Sequence, residues 1–489
     1  MNSRPFSYAQ LGAALLAGLA LRLYFIRHFP FYAGDTKFYD ALARNWLDHR
    51  VYGLFVSGQL VPTEMRVPGY PAFLAAIYFL LGRSWRAVML VQAFVDLGAC
   101  VLIALIAARL APASRRRTVA TAALWMAALC PFTASYTSAV LTETLAIFFT
   151  VLAMFVLVRV LSDPSFDFSG DSVARGKAFS FAGWFLLAGF IVGLGTLVRP
   201  EAPLLLAATG IALCWRWRRR ANCRKLILAA CWMGVGLLLP LFPWALRNAL
   251  TLGRAHFLAP HYAETYGDFV PRGFYAWTHT WMTRRRDAYL VTWKVGKAPI
   301  PVETLPAAAF DLDDERARVA GLLAAYNSNL RMTPSLDYRF AMLARERTAR
   351  RPWRTYIFVP AERVLAMWFT PRVETLPYSG ELWPAAEKWS SNRADFGVTL
   401  GFWLLGFVYV GLGMRGLWQW RGGAAGAVLI LYLVLRSAAM TELPTVEPRY
   451  VIECFPAVLA FGALAWAMRA AQESLVRDRA GVVPEVVSD

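Results

Sequence analysis

Residues 69–82 read Gly69-Tyr70-Pro71-Ala72-Phe73-Leu74-Ala75-Ala76-Ile77-Tyr78-Phe79-Leu80-Leu81-Gly82. The run is apolar but falls short of the roughly 20 residues that a helix needs to cross a bilayer. How it is read decides the topology of the whole chain. As a span, it makes the next helix point outward and leaves Arg115, Arg116 and Arg117 outside. As a helix lying along the surface, it puts these three arginines in the cytoplasm. The Arg216–Lys225 cluster, Arg415 with Arg421, and the Arg469–Arg479 tail then share that side. One assumption places four basic clusters where Lys and Arg collect. The run is therefore read as an interfacial helix, and both termini as cytoplasmic.

Around this segment, ten apolar stretches read as spans: 9–27, 85–110, 118–134, 140–161, 178–198, 201–216, 226–246, 397–415, 424–441 and 450–468. Composition agrees. Of 489 residues, 58% are hydrophobic and 17% charged, against about 25% charged in soluble domains; mean hydropathy is +0.43. This excludes a soluble enzyme, a disordered chain and a small disulfide scaffold. The fold class expected is an all-α polytopic membrane protein, a bundle of about ten transmembrane helices. Arg4 and the apolar run 11–20 imitate a signal peptide, but Arg22 and Arg27 follow in place of a cleavage site. The run is read as a retained first span.

Four regions follow. Residues 1–248 form an N-terminal transmembrane module that includes a first outer loop, 28–68, with interfacial helices. Residues 249–394 form a mainly helical outer cap, 395–470 the C-terminal transmembrane helices, and 471–489 a cytoplasmic tail ending in a disordered stretch. Charges in 311–350, such as Asp311, Glu315 and Arg347, are spaced for exposed helices. The net charge is +19. Orientation explains much of it, but not the arginines of the outward cap. No nucleic-acid motif is present, so no nucleic-acid partner is expected. The six cysteines show no CxxC or Cys/His spacing and read as small apolar residues.

Candidate chemistry gathers at the outer face. The first outer loop begins Phe31-Tyr32-Ala33-Gly34-Asp35-Thr36-Lys37 and closes with Glu64-Met65-Arg66-Val67-Pro68. Asp35 suits either a helix cap for 36–48 or a carboxylate acting on a lipid headgroup. Arg66 suits either an interfacial charge or a bidentate phosphate ligand. Asp96 lies midway through a span and reads as a buried hydrogen-bonding group; Arg436 lies near the outer end of another, within reach of a phosphate. The Arg199-Pro200-Glu201 turn suits an internal ion pair. His256, His261 and His279 fall in the cap without metal-ligand spacing. No structural metal is expected, and a catalytic divalent ion is left open.

Six features occur in order: Asp35 just after the first span, Arg66-Val67-Pro68-Gly69-Tyr70-Pro71, Thr142-Glu143, Leu197-Val198-Arg199-Pro200, Pro243-Trp244-Ala245-Leu246-Arg247-Asn248 and Pro448-Arg449-Tyr450. Together they resemble the GT-C superfamily of integral membrane glycosyltransferases, in its protein O-mannosyltransferase and aminoarabinose-transferase branch. The resemblance covers residues 1–250 and 395–470; segment 250–394 matches no pattern. It implies a polyprenyl-phosphate-linked sugar donor and catalysis on the outer face. It puts the catalytic carboxylate on Asp35 and a second acidic position on Glu143. Many members carry two adjacent acids at the first position; here Thr36 follows. A polyprenyl phosphate leaves readily once its charge is met, so cations matter more than a general acid. Arg66, Arg247, Arg436 and Arg449, with Lys37, are the candidate donor-phosphate ligands. A hydroxyl acceptor also needs a base, assigned to Asp35, and direct displacement inverts the anomeric centre.

The acceptor is a protein, a glycan or a lipid. A transporter or flippase of lipid-linked sugars is the alternative, and it predicts two related halves with paired broken helices; no repeat is visible. A scaffold that binds anionic lipid is a third reading. The Ala/Arg-rich usage and compact loops point to a bacterium, hence a multi-pass protein of the inner (plasma) membrane with its site facing the periplasm or cell exterior.

Overall fold

The computed structural model describes residues 6–32, 34–163, 175–216, 223–259 and 269–480. Residues 217–222 of the Arg216–Lys225 cluster, His261, the side chains of Arg469–Arg479 and the tail beyond residue 480 lie outside the described residues.

The chain is a helical, multi-pass membrane protein. Its first helix, Tyr8–His28, begins where the Ser7 hydroxyl accepts from the Gln10 amide at 3.3 Å, a serine N-cap. Long apolar helices follow at Trp85–Leu110, Glu143–Leu161, Cys223–Leu252, Arg393–Gln419 and Ala424–Ala439, and a last one at Phe455–Ala480. Among the described residues, seven helical segments are long and apolar enough to cross a membrane, or eight if one bent pair counts as a span, and three further apolar helices are shorter. The sequence reading names about ten candidate stretches, several of them short. The expected span 118–134 breaks near Cys130-Pro131, with a 44° bend between 113–128 and 131–138, because proline supplies no amide to continue the first helix. The expected span 201–216 shortens to Leu204–Arg216, and 178–198 falls in the helix Arg175–Thr196.

The run 69–82 folds as the 13-residue helix Gly69–Leu81, about 20 Å long at 1.5 Å per residue. That is too short for a hydrocarbon core of about 30 Å. Tyr70, Leu74, Ile77 and Tyr78 are buried, while Phe79, Leu80 and Leu81 are exposed.

The first outer loop is only partly helical. After the helix Gly34–His49 comes an antiparallel hairpin, Gly53–Val56 with Gln59–Pro62. Ser57 and Gly58 turn it with φ of 50° and 82°, the left-handed pair that suits a two-residue hairpin. Val56-Ser57-Gly58-Gln59 carried that signal, and reading the loop as helices alone passed over it.

The cap is helical, with segments at Arg272–Thr278, Arg285–Leu290, Asp313–Asn327, Pro334–Arg350, Val359–Phe369 and Ala385–Ser391. It has its own aromatic core around Phe274, Trp277, Trp281, Tyr326 and Phe340. The helices of 311–350 are not simply exposed. Arg347 is fully buried, pairs with Glu315 at 2.6 Å and lies 3.4 Å from Asp311. A charge pattern that suits solvated helix faces here turns inward.

In the membrane bundle, Asp96 is buried as expected, and its partner is Arg22 of the first helix. The Arg22 Nε donates to Asp96 at 2.8 Å, and Nη1 donates to the carbonyls of Gly18 and Ala128 at 2.7 and 2.8 Å. The cysteines are all unpaired; Cys100, Cys130 and Cys454 are buried, Cys214, Cys223 and Cys231 exposed.

Candidate active site

Backbone contacts bring the sequence motifs together. Phe31, four residues before Asp35, bridges the segment before Glu143: its amide donates to Ser138 O at 2.9 Å, and its carbonyl accepts from Val140 N at 3.4 Å. The buried Thr36 hydroxyl donates to Val140 O at 3.1 Å. Thr36, where a second acid was the alternative, thus fastens the start of the Gly34–His49 helix. At the other end of the loop, the Gly69 amide donates to Leu197 O at 2.6 Å. A Cβ at Gly69 would stand 2.5 Å from that oxygen, so glycine permits the close approach. Arg66 is thereby held beside the Leu197-Val198-Arg199 turn.

Asp35 is in the first turn of its helix, and its Oδ1 accepts from Arg66 Nη2 at 3.0 Å. Both side chains remain about one-third exposed, at 35% and 29%, so the pair is open to a ligand. The Arg66 guanidinium also lies 5.8 Å from the Phe38 ring centre. Tyr39 sits beside the pair. Burial, and then the Asp35 carboxylate, push its phenol up to about 12. Burial works to lower the Arg66 pKa, but Tyr39 and Asp35 outweigh it and the net direction is up.

Deeper in, Glu143 opens the helix Glu143–Leu161 and is 1% exposed. Its Oε1 lies 3.8 Å from Arg199 and 3.9 Å from Arg449, and its Oε2 has no hydrogen-bond partner among the described residues. Arg449 approaches Glu447 at 2.7 Å. Arg199 also meets Glu453 at 3.3 Å, which in turn accepts from Arg436 at 2.6 Å. The result is an alternating chain of charges from Glu447 through Arg449, Glu143, Arg199 and Glu453 to Arg436, beside the separate and more accessible Asp35–Arg66 pair. Burial pushes the Glu447 carboxyl up, against the pull of Arg449 and of Arg285 from the cap. Glu374 of the cap accepts from Tyr136 OH at 2.6 Å.

The sequence candidates therefore separate. Asp35 pairs with Arg66, and Glu143 lies 3.9 Å from Arg449. Arg436 is fully buried, on Glu453, and donates to Tyr450 O at 2.9 Å, so it does not reach an open phosphate. Arg247 holds the hairpin: it donates to Thr63 O at 2.9 Å and to Tyr52 O at 2.7 Å, over the rings of Tyr52 and Trp244. Lys37 is exposed on the wall of a groove of about 640 Å³ with Phe38, Arg44, Leu54 and Met65. Among the residues that sequence reasoning missed, Glu453 had a signal, as a lone acid in an apolar run. Glu447, inside Glu447-Pro448-Arg449-Tyr450, was also legible. Glu374, Arg285 and Tyr39 carried none.

Neither a protein-family model nor a curated protein sequence matches the chain. Solved structures do. A crystal structure of the Archaeoglobus fulgidus oligosaccharyltransferase, tethered to an acceptor peptide, aligns over 96% of this chain at a TM-score of 0.52 and 12% identity. Its apo form aligns over 96% at 0.50 and 12%. The chain shares the fold of these oligosaccharyltransferase structures. The chain spans about half the length of those oligosaccharyltransferase structures, at 50% and 51%. ArnT from Cupriavidus metallidurans bound to undecaprenyl phosphate is also similar, with 98% of this chain and 82% of that one covered at 13% identity. Its TM-score is 0.38.

Proposed function

We propose that the chain is a membrane glycosyltransferase that moves one sugar from a polyprenyl-phosphate donor to an acceptor outside the cytoplasm, with inversion. The observation that carries the reading is the Asp35–Arg66 pair, drawn from the two ends of one loop to 3.0 Å and left accessible on a GT-C fold. In this reading the donor phosphate takes the guanidinium of Arg66, which frees the Asp35 carboxylate. The acceptor hydroxyl loses its proton to Asp35 as its oxygen attacks the anomeric carbon. The carbon–oxygen bond to phosphate breaks, and the electron pair leaves with the phosphate. Arg66 and Arg449 offset the developing charge, with Lys37 at the groove beside them. Glu143 orients Arg199 and Arg449. Arg436 and Arg247 act one layer back, by holding Glu453 and the hairpin.

The scheme is written for side chains alone, and a catalytic divalent ion stays open beside it. The site is assigned to the outer face of a bacterial inner membrane, on the strength of where the basic clusters fall in the sequence. The acceptor, whether protein, glycan or lipid, belongs to the same proposal.

The test is donor turnover. Purified wild type and Asp35→Asn receive a panel of radiolabelled polyprenyl-phosphate sugars with a membrane extract as acceptor. Transfer by wild type that Asp35→Asn abolishes, with folding intact, supports enzyme and base together. Equal transfer by both would remove Asp35 as the base.

A further inference from the structure

A second cavity, of about 860 Å³, opens between the cap and the membrane bundle. The cap helices Arg272–Thr278, Pro334–Arg350 and Val359–Phe369 form most of its wall, and the turn Thr441–Pro444 closes one side. Arg272, His279, Arg345 and Arg363 line it, against a single carboxylate, Glu442.

Arg363 is the unusual member. It is 1% exposed. Its Nε donates to Met282 O at 2.9 Å, its Nη1 donates to Thr441 O and, at 3.2 Å, to Leu443 O, and its Nη2 has no acceptor among the described residues. The buried arginines Arg22, Arg347 and Arg436 each meet a carboxylate. Arg363, like the buried Arg372, donates to carbonyls, and the carboxylate that acts on it is Glu442. A buried guanidinium with one N–H group left unsatisfied is costly, and a ligand oxygen would satisfy it. Burial lowers the Arg363 pKa to about 10, so it stays cationic at neutral pH. His279 is pushed down by burial and by Arg363, so it stays neutral there.

We propose that this cavity binds the phosphate group of a phosphorylated ligand. Arg363 stands at its buried floor, and the exposed Arg272 and Arg345 stand at its mouth. Guanidinium forks match phosphate oxygens in geometry and charge. Thr348, Thr355 and Tyr356 supply hydroxyls for the uncharged part. The site also accounts for an arginine excess on an outward segment that membrane orientation leaves unexplained. The turn that closes the cavity runs on in sequence to Glu447 and Arg449, which connects it to the buried charges around Glu143.

The phosphate can come from a phosphosugar or from a lipid headgroup, and the test separates them. Full-length protein in detergent is titrated with glucose 6-phosphate against glucose, and with dihexanoyl phosphatidic acid against dihexanoyl phosphatidylcholine. Binding of the phosphorylated member of either pair, with its neutral or zwitterionic control silent, is expected. Arg272→Glu with Arg345→Glu changes two exposed side chains and should weaken that binding at least about ten-fold, with the melting temperature unchanged. Arg363→Gln should weaken it further, and Arg363→Lys should restore part of it; if the Arg363 variants fail to fold, the double variant decides. Glucose 6-phosphate binding assigns a saccharide source, and phosphatidic acid binding alone assigns a lipid. Binding of neither, or equal binding by the double variant, overturns the proposal. No transfer reaction is involved, so failure of the glycosyltransferase reading would leave this result standing.

Discussion

Asp35 and Arg66 form a half-exposed ion pair of the kind that contributes little to stability, about 0–1 kcal/mol. Removing Asp35 should therefore leave folding nearly unchanged. Asp35→Asn should lower transfer by about 10²–10⁴-fold, the usual contribution of a positioned base, read by label transfer beside size-exclusion profiles. The Arg436–Glu453 pair has the opposite profile, because both groups are buried. Among the described residues, Arg436→Leu leaves the Glu453 carboxylate with Arg199 and the Thr150 hydroxyl. It should destabilise the protein by up to about 3–5 kcal/mol, while Arg436→Leu with Glu453→Leu recovers part of that loss, since Arg199 then loses Glu453. Thermal denaturation in detergent would show it; equal melting of the single and double variants would contradict a buried-pair role.

At the level of elements, the first outer loop works as a strap closed at both ends. Phe31 and Thr36 fasten one end to the segment before Glu143, and Gly69 fastens the other to Leu197. Gly69→Ala drives a Cβ against Leu197 O and should push Arg66 away from Asp35. We expect a cost of about 1–3 kcal/mol and a larger fall in kcat than the stability change explains. Transfer kinetics measured well below the melting temperature would separate the two. The helices Arg393–Gln419 and Phe455–Ala480 meet through Gly416, where a Cβ would run into the Phe461 carbonyl. Membrane helices use small residues for such approaches.

Over the whole molecule, the cap is joined to the bundle by hydrogen bonds of Glu374, Arg363 and Arg372 to Tyr136, Leu443 O and Pro448 O as well as by packing. Its internal anchor is the cluster of Asp311, Glu315, Arg347, Arg350 and Arg354. Burial works to raise the Asp311 pKa, but Arg354, Arg347 and Arg350 outweigh it and hold the carboxyl below its ordinary value of 3.8. A carboxylate whose folded pKa is depressed stabilises the fold fully above the unfolded value and loses that contribution as pH falls through the folded one. Cap stability should therefore be level near neutrality and fall as pH drops through the acid range below about 4. Asp311→Asn should flatten that fall and lower stability at pH 7. Tryptophan fluorescence of the cap core against pH would test this, and an unchanged acid limb in the variant would refute it.

By itself the sequence determined the class of molecule and supplied the candidate carboxylates and cations. Bulk apolarity and the distribution of arginines are properties of composition and order, and 69–82 was short enough to be read as a non-spanning helix. Asp35 and Arg66 were legible as charges at the two ends of one loop, and Glu143 and Arg449 through the resemblance to GT-C motifs. Tertiary structure decided which charges face one another. Arg247 and Arg436 look like the other cations in sequence, but one grips hairpin carbonyls and the other lies behind Glu453. The hairpin, the break at Pro131 and the inward turn of Arg347 were also settled by packing. A residue's neighbours across the bundle lie hundreds of positions away, and the free energy of a charge depends on those neighbours and on its distance from water.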